Sequence, residues 1–326
     1  DGGGIRGIIP ALVLVDLERR TGKPISELFD FIEGTSTGAI LALGVSKPSR
    51  TDSKKPQYSA ADLARFYEEK GKVIFPPHHP RWKKLRWTVR PKYPSEELEK
   101  VLLEFFGDTE LGEALTHLEV PAYEVEDRKH FFMRTYDDST NFFWMRDVAR
   151  AASAAPSYFP PARLSMFKRD SAKGYAALID GGVFANNPTA FAVASAKHGF
   201  KSENIILVSL GTGVSSKDLK FEKIWGWGIG KWMVPLLDIL FSDPGIEAPL
   251  ERMLYGEPYF RFQPLLKGVD GGLDTTTKDE INGLQKLAAE LITANSDALA
   301  RVAYLLTLEP SGACMPIIGD GYYKNQ

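Results

Sequence analysis

Short apolar runs that end on glycine alternate along this chain with longer segments of helical spacing. Leu12, Val15 and Leu17 recur among small and charged residues and predict a helix ended by Gly22. Residues 28–32 form a strand-length apolar run that enters Gly34-Thr35-Ser36-Thr37-Gly38, and residues 39–45 continue with helical character. The order is strand, tight turn, helix. Ser59 and Asp62 stand at capping-box spacing ahead of Leu63, Phe66 and Tyr67, which predicts a helix over 60–72. Pro76, Pro77, Pro80, Pro91 and Pro94 mark a loop, after which Ser95 is expected to cap a helix through Phe106. Residues 120–125 and 130–136 predict two strands across a charged turn, and 147–155 a helix. A buried strand is predicted at 175–179, stopping at Asp180-Gly181-Gly182, with Pro188 in the first turn of a helix reaching Lys197. Another is predicted at 205–210, stopped by Gly211-Thr212-Gly213. Beyond residue 213 the chain reads as mostly helical, with a strand at 259–263 and a long helix from about Lys278.

Strands alternating with helices, with no internal repeat and no low-complexity linker, predict an α/β fold. The expectation is a single three-layer domain over residues 1–326, its mostly parallel central sheet lying between helices. The motif-bearing core is 1–213 and the largely helical remainder 214–326.

Charge narrows the partners. Forty Lys and Arg against forty-two Asp and Glu leave a net charge of −2, so no nucleic-acid partner is expected. One cysteine, Cys314, and five histidines cannot build a disulfide framework or a Cys/His zinc module. The longest uncharged run, residues 181–196, is interrupted by Asn186, Asn187 and Pro188 and falls short of a spanning helix, so a soluble protein is expected. Asp1 opens directly onto three glycines, as though an upstream segment had been removed, which leaves cytoplasmic, peripheral-membrane and secreted locations open.

Three stretches carry candidate chemistry. Gly34 to Gly38 has the form G-x-S-x-G between a strand and a helix, where a serine is held in a strained turn with its hydroxyl presented, so Ser36 is the candidate nucleophile. Its base is the second question. Among the histidines only His198 follows Asp180, and Ala196-Lys197-His198-Gly199 has the character of a helix C-terminus. A carboxylate at a strand end is the remaining choice, and Asp180 in Leu178-Ile179-Asp180-Gly181-Gly182 has that address. The second D-G-G, at Asp270, reads as a surface turn. Gly2-Gly3-Gly4-Ile5-Arg6-Gly7 fits G-x-G-x-x-G and offers backbone amides to an anion. The dinucleotide-binding alternative needs an acidic residue on a second strand; Glu27 has the distance but sits by Pro24 and Ser26.

Taken together, Asp1 to Gly7, Gly34 to Gly38 and Asp180-Gly181-Gly182 resemble the patatin-like phospholipases, as do Asn186-Asn187-Pro188 and Ser209-Leu210-Gly211-Thr212-Gly213. The resemblance implies a patatin-like fold and lipid acyl hydrolysis by a Ser-Asp dyad, Ser36 and Asp180, without cofactor or metal. It implies an oxyanion hole from Gly2, Gly3 and Gly4 with Arg6 nearby, and motif positions at Gly7, Gly34, Gly38, Gly181 and Gly182. Members carry a strand leading into the D-G-G-G loop, and here the sequence starts at that loop. The expected partner is membrane or micellar lipid, met by transient surface contact. Two stretches suit it: residues 224–241, with Trp225, Trp227 and Trp232, and residues 78–94, where six Lys and Arg interleave with aromatics. A catalytically silent lipid-binding module and a Ser-His-Asp esterase using His198 stand as alternatives.

Overall fold

The computed structural model describes residues 1–76, 90–166, 173–202, 204–215, 219–240, 250, 254 and 256–308. A 3-10 turn at Gly4–Gly7 leads into α1 (Ile8–Thr21), which Gly22 closes in the left-handed conformation, φ 69°, its amide donating to the Glu18 carbonyl. β1 (Phe31–Glu33) is short and follows a 3-10 turn at Ile25–Glu27; α2 (Thr37–Ser46) begins at once after Ser36. α3 (Ala60–Ile74) starts from the capping box that the sequence predicts: Asp62 N–H donates to Ser59 Oγ at 3.2 Å and Ser59 N–H to Asp62 Oδ2 at 2.9 Å. α4 (Glu96–Phe106) behaves differently. Ser95 makes no side-chain cap, and the first turn instead carries Glu96, Glu97 and Glu99, favourable to the helix dipole.

β2 (His117–Glu124) and β3 (Lys129–Arg134) form an antiparallel hairpin, followed by α5 (Met145–Ala152), β4 (Ala162–Ser165) and β5 (Tyr175–Asp180). α6 (Gly182–Ala185) and α7 (Thr189–Ala194) come next, α7 running into a π turn at Ser195–Gly199. β6 (Leu207–Leu210), β7 (Val214–Ser215), α8 (Phe221–Ile224), α9 (Ile229–Leu240), β8 (Tyr259–Phe262), β9 (Leu265–Leu266), α10 (Lys278–Ala294) and α11 (Ser296–Thr307) complete the described chain. The α/β class holds, but the expected mostly parallel sheet is mixed. β1 joins β2 in parallel while β3 and β5 join β2, and β4 joins β5, antiparallel; β6–β8 and β7–β9 are separate parallel pairs. The 162–165 strand carried no signal of its own in the sequence, because Arg163 and Ser165 alternate outward from only two buried apolar residues.

The register of β2 is the feature that positions the site. β3 takes one edge of β2, and the other edge is shared: β1 pairs with residues 117–119 and β5 with residues 122–124. Two strands running in opposite directions therefore point their C-terminal ends at one another along a single edge, with Glu33 opposite Glu119 and Asp180 opposite Ala122. Three residues of strand separate the two ends by about 10 Å. Pro121 lies in this gap. Glu119 directs its carbonyl to the shared edge, accepting from Gly34 N–H at 3.3 Å, and the period of two turns Pro121 the same way, so its missing N–H deprives no neighbouring strand.

One face of the sheet carries Leu118, Val120, Ala122, Met133, Ala176 and Leu178, all buried, against α2 and α5. The opposite face, under α6 and α7, carries Glu119 and Arg134. Arg134 grips Glu119 through Nε at 2.6 Å and Nη2 at 3.3 Å, and Tyr136 and Ser195 hydroxyls donate to the same carboxylate at 2.5 and 3.0 Å. Beside it, burial and then the charge of Glu119 push the Glu33 carboxyl well above its usual range. Removing the cation leaves these acids uncompensated. Arg134→Met is expected to lower the unfolding free energy by about 3–5 kcal/mol, read from urea denaturation.

Candidate active site

Ser36 stands at the junction of β1 and α2 with φ 54° and ψ −119°, a positive φ in a residue other than glycine. Local crowding enforces it. A Cβ on Gly34 falls 2.3 Å from the Gly38 carbonyl oxygen, and one on Gly38 falls 2.9 Å from the Asp1 carbonyl, so only glycine lets the turn close this tightly. Thr35 Oγ1 ties the turn to the Ala185 carbonyl at 2.6 Å. Thr37 Oγ1 meets the Tyr67 hydroxyl at 2.5 Å, which also donates to the Thr37 carbonyl at 3.0 Å.

Asp180 ends β5. Strand alternation puts it on the same face as Ala176 and Leu178, and it is fully buried. Its Oδ1 accepts from Gly182 N–H at 2.8 Å, while Oδ2 is buried and accepts no hydrogen bond among the described residues. Burial pushes the carboxyl up to about 7, with the neighbouring Ser36 hydroxyl and the Gly182 amide pulling it partly back. The Ser36 and Asp180 side chains line one cleft, and no hydrogen bond closes between them among the described residues. Gly181 matches the crowding at Gly34, since a Cβ there falls 2.4 Å from the Pro121 carbonyl oxygen.

The glycine loop is stapled from several distant segments. Arg261 donates to both Asp1 carboxylate oxygens, at 2.9 and 2.5 Å, and Thr212 Oγ1 donates to the Gly2 carbonyl at 2.6 Å. Ile5 N–H donates to the Leu273 carbonyl at 2.9 Å, and Arg6 is buried with Nε donating to the Gly3 carbonyl at 3.3 Å. Gly2 N–H is spent on the Asn186 carbonyl at 2.9 Å, so this amide is not available as an oxyanion donor as the sequence expected. The Gly3 and Gly4 amides donate to no protein group among the described residues. Gly7 serves packing, its Cα close against Thr37 and Tyr67.

One cleft brings Ser36, Asp180, Gly3 and Gly4 together. The rest of its wall is almost wholly apolar, with Ile5, Ile40, Phe66, Ile74, Phe159 and Leu273 among its residues. His198 is not there. It lines a separate cavity with Glu119, His130 and Arg134, and neither His117 nor His130 reaches the Ser36 cleft; His78 and His79 lie outside the described residues. Asp270 is exposed and accepts from Thr275 Oγ1 at 3.0 Å. Among the described residues no group of three or more His, Cys, Asp or Glu is placed to hold a metal ion. Tyr67, Arg261 and Leu273 escaped the sequence reading because each reaches the motifs from a distant segment with no motif of its own.

The sequence profile of the family described as patatin-like phospholipase matches residues 1–193. This chain belongs to that family. It is 29% identical to Patatin-like protein 2 of Oryza sativa subsp. indica over all of this chain and 88% of the relative. It is 32% identical to Patatin-like protein 4 of Arabidopsis thaliana over 74% of this chain and 68% of the relative. Another relative, at 31% identity over 73% of this chain and 68% of its own, is a Solanum tuberosum protein named Probable inactive patatin-3-Kuras 1. The solved structure of VipD from Legionella pneumophila aligns over 89% of this chain and 66% of its own, at 14% identity and a TM-score of 0.36.

The patatin-like chain depends on glycine at the turn for backbone reasons alone, because the atoms a Cβ would strike at Gly34 cannot move aside. Gly34→Ala is expected to slow labelling of Ser36 by a fluorophosphonate on the order of a hundredfold, since a misplacement of about 1 Å at a reacting group costs that much.

Proposed function

We propose that this protein is a lipid acyl hydrolase of phospholipase A or lysophospholipase type working through a Ser36–Asp180 dyad. Membership of a lipid-hydrolase family supports the reaction class. The observation that carries the finer reading is the convergence of a strained serine, a buried carboxylate with a free oxygen and two undonated amides on one apolar cleft. Ser36 Oγ attacks the ester carbonyl while Asp180 Oδ2 takes its proton. The oxyanion forms against the Gly3 and Gly4 amides and the N-terminal end of α2, and Asp180 returns the proton to the departing alcohol. Water then attacks the acyl-serine and gives its proton to Asp180; the tetrahedral oxyanion collapses to the free acid, and Asp180 returns that proton to the departing Ser36 Oγ. A carboxyl raised to about 7 is matched to this work, being a far stronger base than an exposed aspartate while still substantially ionised at neutral pH.

The sign of the pH dependence follows. The base acts when ionised, so kcat/KM on a soluble ester is expected to fall with unit slope as pH drops through about 7. Asp180→Asn and Ser36→Ala are each expected to lose at least about a hundredfold in rate. Because the native carboxyl is raised, its ionisation costs stability above the unfolded pKa, and the cost grows until pH passes the folded value. Asp180→Asn is therefore expected to melt higher than the parent at pH 8, the gap closing toward pH 4. A parent whose Ser36 takes no fluorophosphonate label would instead be the silent lipid-binding module.

Lipid substrate reaches the site from a membrane or micelle in this proposal. No described helix is long and apolar enough to cross a membrane. In the tryptophan-rich segment Trp225 is 78% exposed, as is Phe221 just before it at 63%, and Leu236, Ile239 and Leu240 are exposed on α9, which packs against α6 directly after the Asp180-Gly181 turn. Of residues 78–94, those at 78–89 lie outside the described residues, as does Cys314. A Phe221→Ala/Trp225→Ala variant is expected to lose on the order of tenfold in vesicle binding, measured by co-sedimentation, while hydrolysing a soluble short-chain ester at the parent rate.

A further inference from the structure

α6 (Gly182–Ala185) is a single helical turn, and so short a helix leaves its last carbonyls to be satisfied from outside. Its start is closed by its own neighbours. Gly182 N–H donates to Asp180 Oδ1 at 2.8 Å, and Ala185 N–H donates to the Gly181 carbonyl at 2.8 Å. Its end is closed by two distant segments. The Ala185 carbonyl accepts from Thr35 Oγ1 at 2.6 Å, and the Asn186 carbonyl accepts from Gly2 N–H at 2.9 Å. Residues 182–186 therefore bond to the Asp180 carboxylate, to the serine turn and to the first glycine loop.

These ties differ in kind. The bond to Gly2 runs from backbone to backbone and does not depend on a side chain. The bond to the serine turn depends on one hydroxyl, that of the fully buried Thr35. Pairing along β2 sets where β1 and β5 end, but Ser36 stands beyond the end of β1, in the turn. There its φ of 54° is a conformation that persists only where the surroundings enforce it. Thr35 and Thr37 flank the serine, and each spends its hydroxyl on a neighbouring element: Thr37 on Tyr67 of α3, Thr35 on the end of α6. Of the two, the Thr35 bond leads to the segment that carries the carboxylate.

We propose that Thr35 is a positioning residue for the reaction: through the Ala185 carbonyl, its hydroxyl fixes the serine turn relative to Asp180 and to the glycine loop, and so sets where Ser36 Oγ stands. This rests on the acyl hydrolase reading of the cleft and adds a residue to it. Thr35 touches no reacting atom; it acts through the backbone of the turn, where a shift of about 1 Å at the reacting group is costly.

The test compares Thr35→Val and Thr35→Ser with the parent. Valine keeps the branched shape and removes the donor, leaving the Ala185 carbonyl unpaired, whereas serine keeps the hydroxyl. Thr116→Val is the control, since it removes a buried threonine-to-carbonyl bond of 2.8 Å, to Ser26, outside the cleft. On a soluble butyryl ester, Thr35→Val is expected to lower kcat on the order of tenfold or more with KM within about twofold, and to slow fluorophosphonate labelling of Ser36 alike. Thr35→Ser is expected to recover both rates to within about threefold of the parent. Thr116→Val is expected to lower the melting temperature as Thr35→Val does while keeping the parent's kcat. An active parent whose kcat is indifferent to Thr35→Val, a Thr35→Ser protein no faster than Thr35→Val, or an equal loss in Thr116→Val would each overturn the positioning role and leave the hydrolase reading standing. A parent that neither hydrolyses the ester nor takes the label would overturn both.

Discussion

A single strand edge holds the site together. β2 offers one side to β1 over residues 117–119 and to β5 over residues 122–124, and because those strands approach from opposite directions their ends are driven toward one another. Hydrogen-bond register leaves no slack in this arrangement: a slip of one residue would turn Asp180 to the opposite face of the sheet and out of the cleft. Pro121 and Gly181 belong to the same constraint. The first forgoes a donor where neither strand needs one, and the second lets the chain turn away against the Pro121 carbonyl. Serine and aspartate, 144 positions apart in the chain, become neighbours through the register that sets Asp180 opposite Ala122 and ends β1 just before the Ser36 turn.

Backbone contacts also shape the first glycine loop. The first loop is pinned by Arg261 on Asp1, Thr212 on the Gly2 carbonyl, Asn186 on the Gly2 amide and Leu273 on the Ile5 amide, while the amides of Gly3 and Gly4 donate to no group among the described residues. In the proposed reaction, donors fixed in this way need no reorganisation as charge develops. A Cβ on Gly3 would strike the Thr212 side chain and one on Gly4 the Leu273 carbonyl.

Two buried acids on this sheet show how surroundings assign roles. Glu119 is surrounded by Arg134, Tyr136 and Ser195, each donating to it, and it knits β2, β3 and the π turn. Asp180 has one amide, a neighbouring hydroxyl and an apolar wall, and its carboxyl rises to about 7. A satisfied carboxylate is structure; a carboxylate with an oxygen left over and little solvation is raised toward neutrality, which suits the base in the proposed reaction.

Features set by a few neighbouring residues were legible in the chain itself. The Ser59–Asp62 box, the Gly22 stop, the G-x-S-x-G turn and the strand ending at Asp180 all stand where local pattern put them, because caps, left-handed turns and alternation are short-range physics. Sequence pattern also named Ser36 and Asp180 as the pair to examine. Tertiary structure alone decided that β2 serves two strands and so makes the sheet mixed, that the Gly2 amide is taken by Asn186, that His198 faces a different cavity, and that Gly71, Tyr67 and Leu273 line the serine's cleft. Those outcomes depend on contacts between segments far apart in the chain, and no local spacing of residue types encodes which distant carbonyl an amide will meet or which cavity a side chain will face.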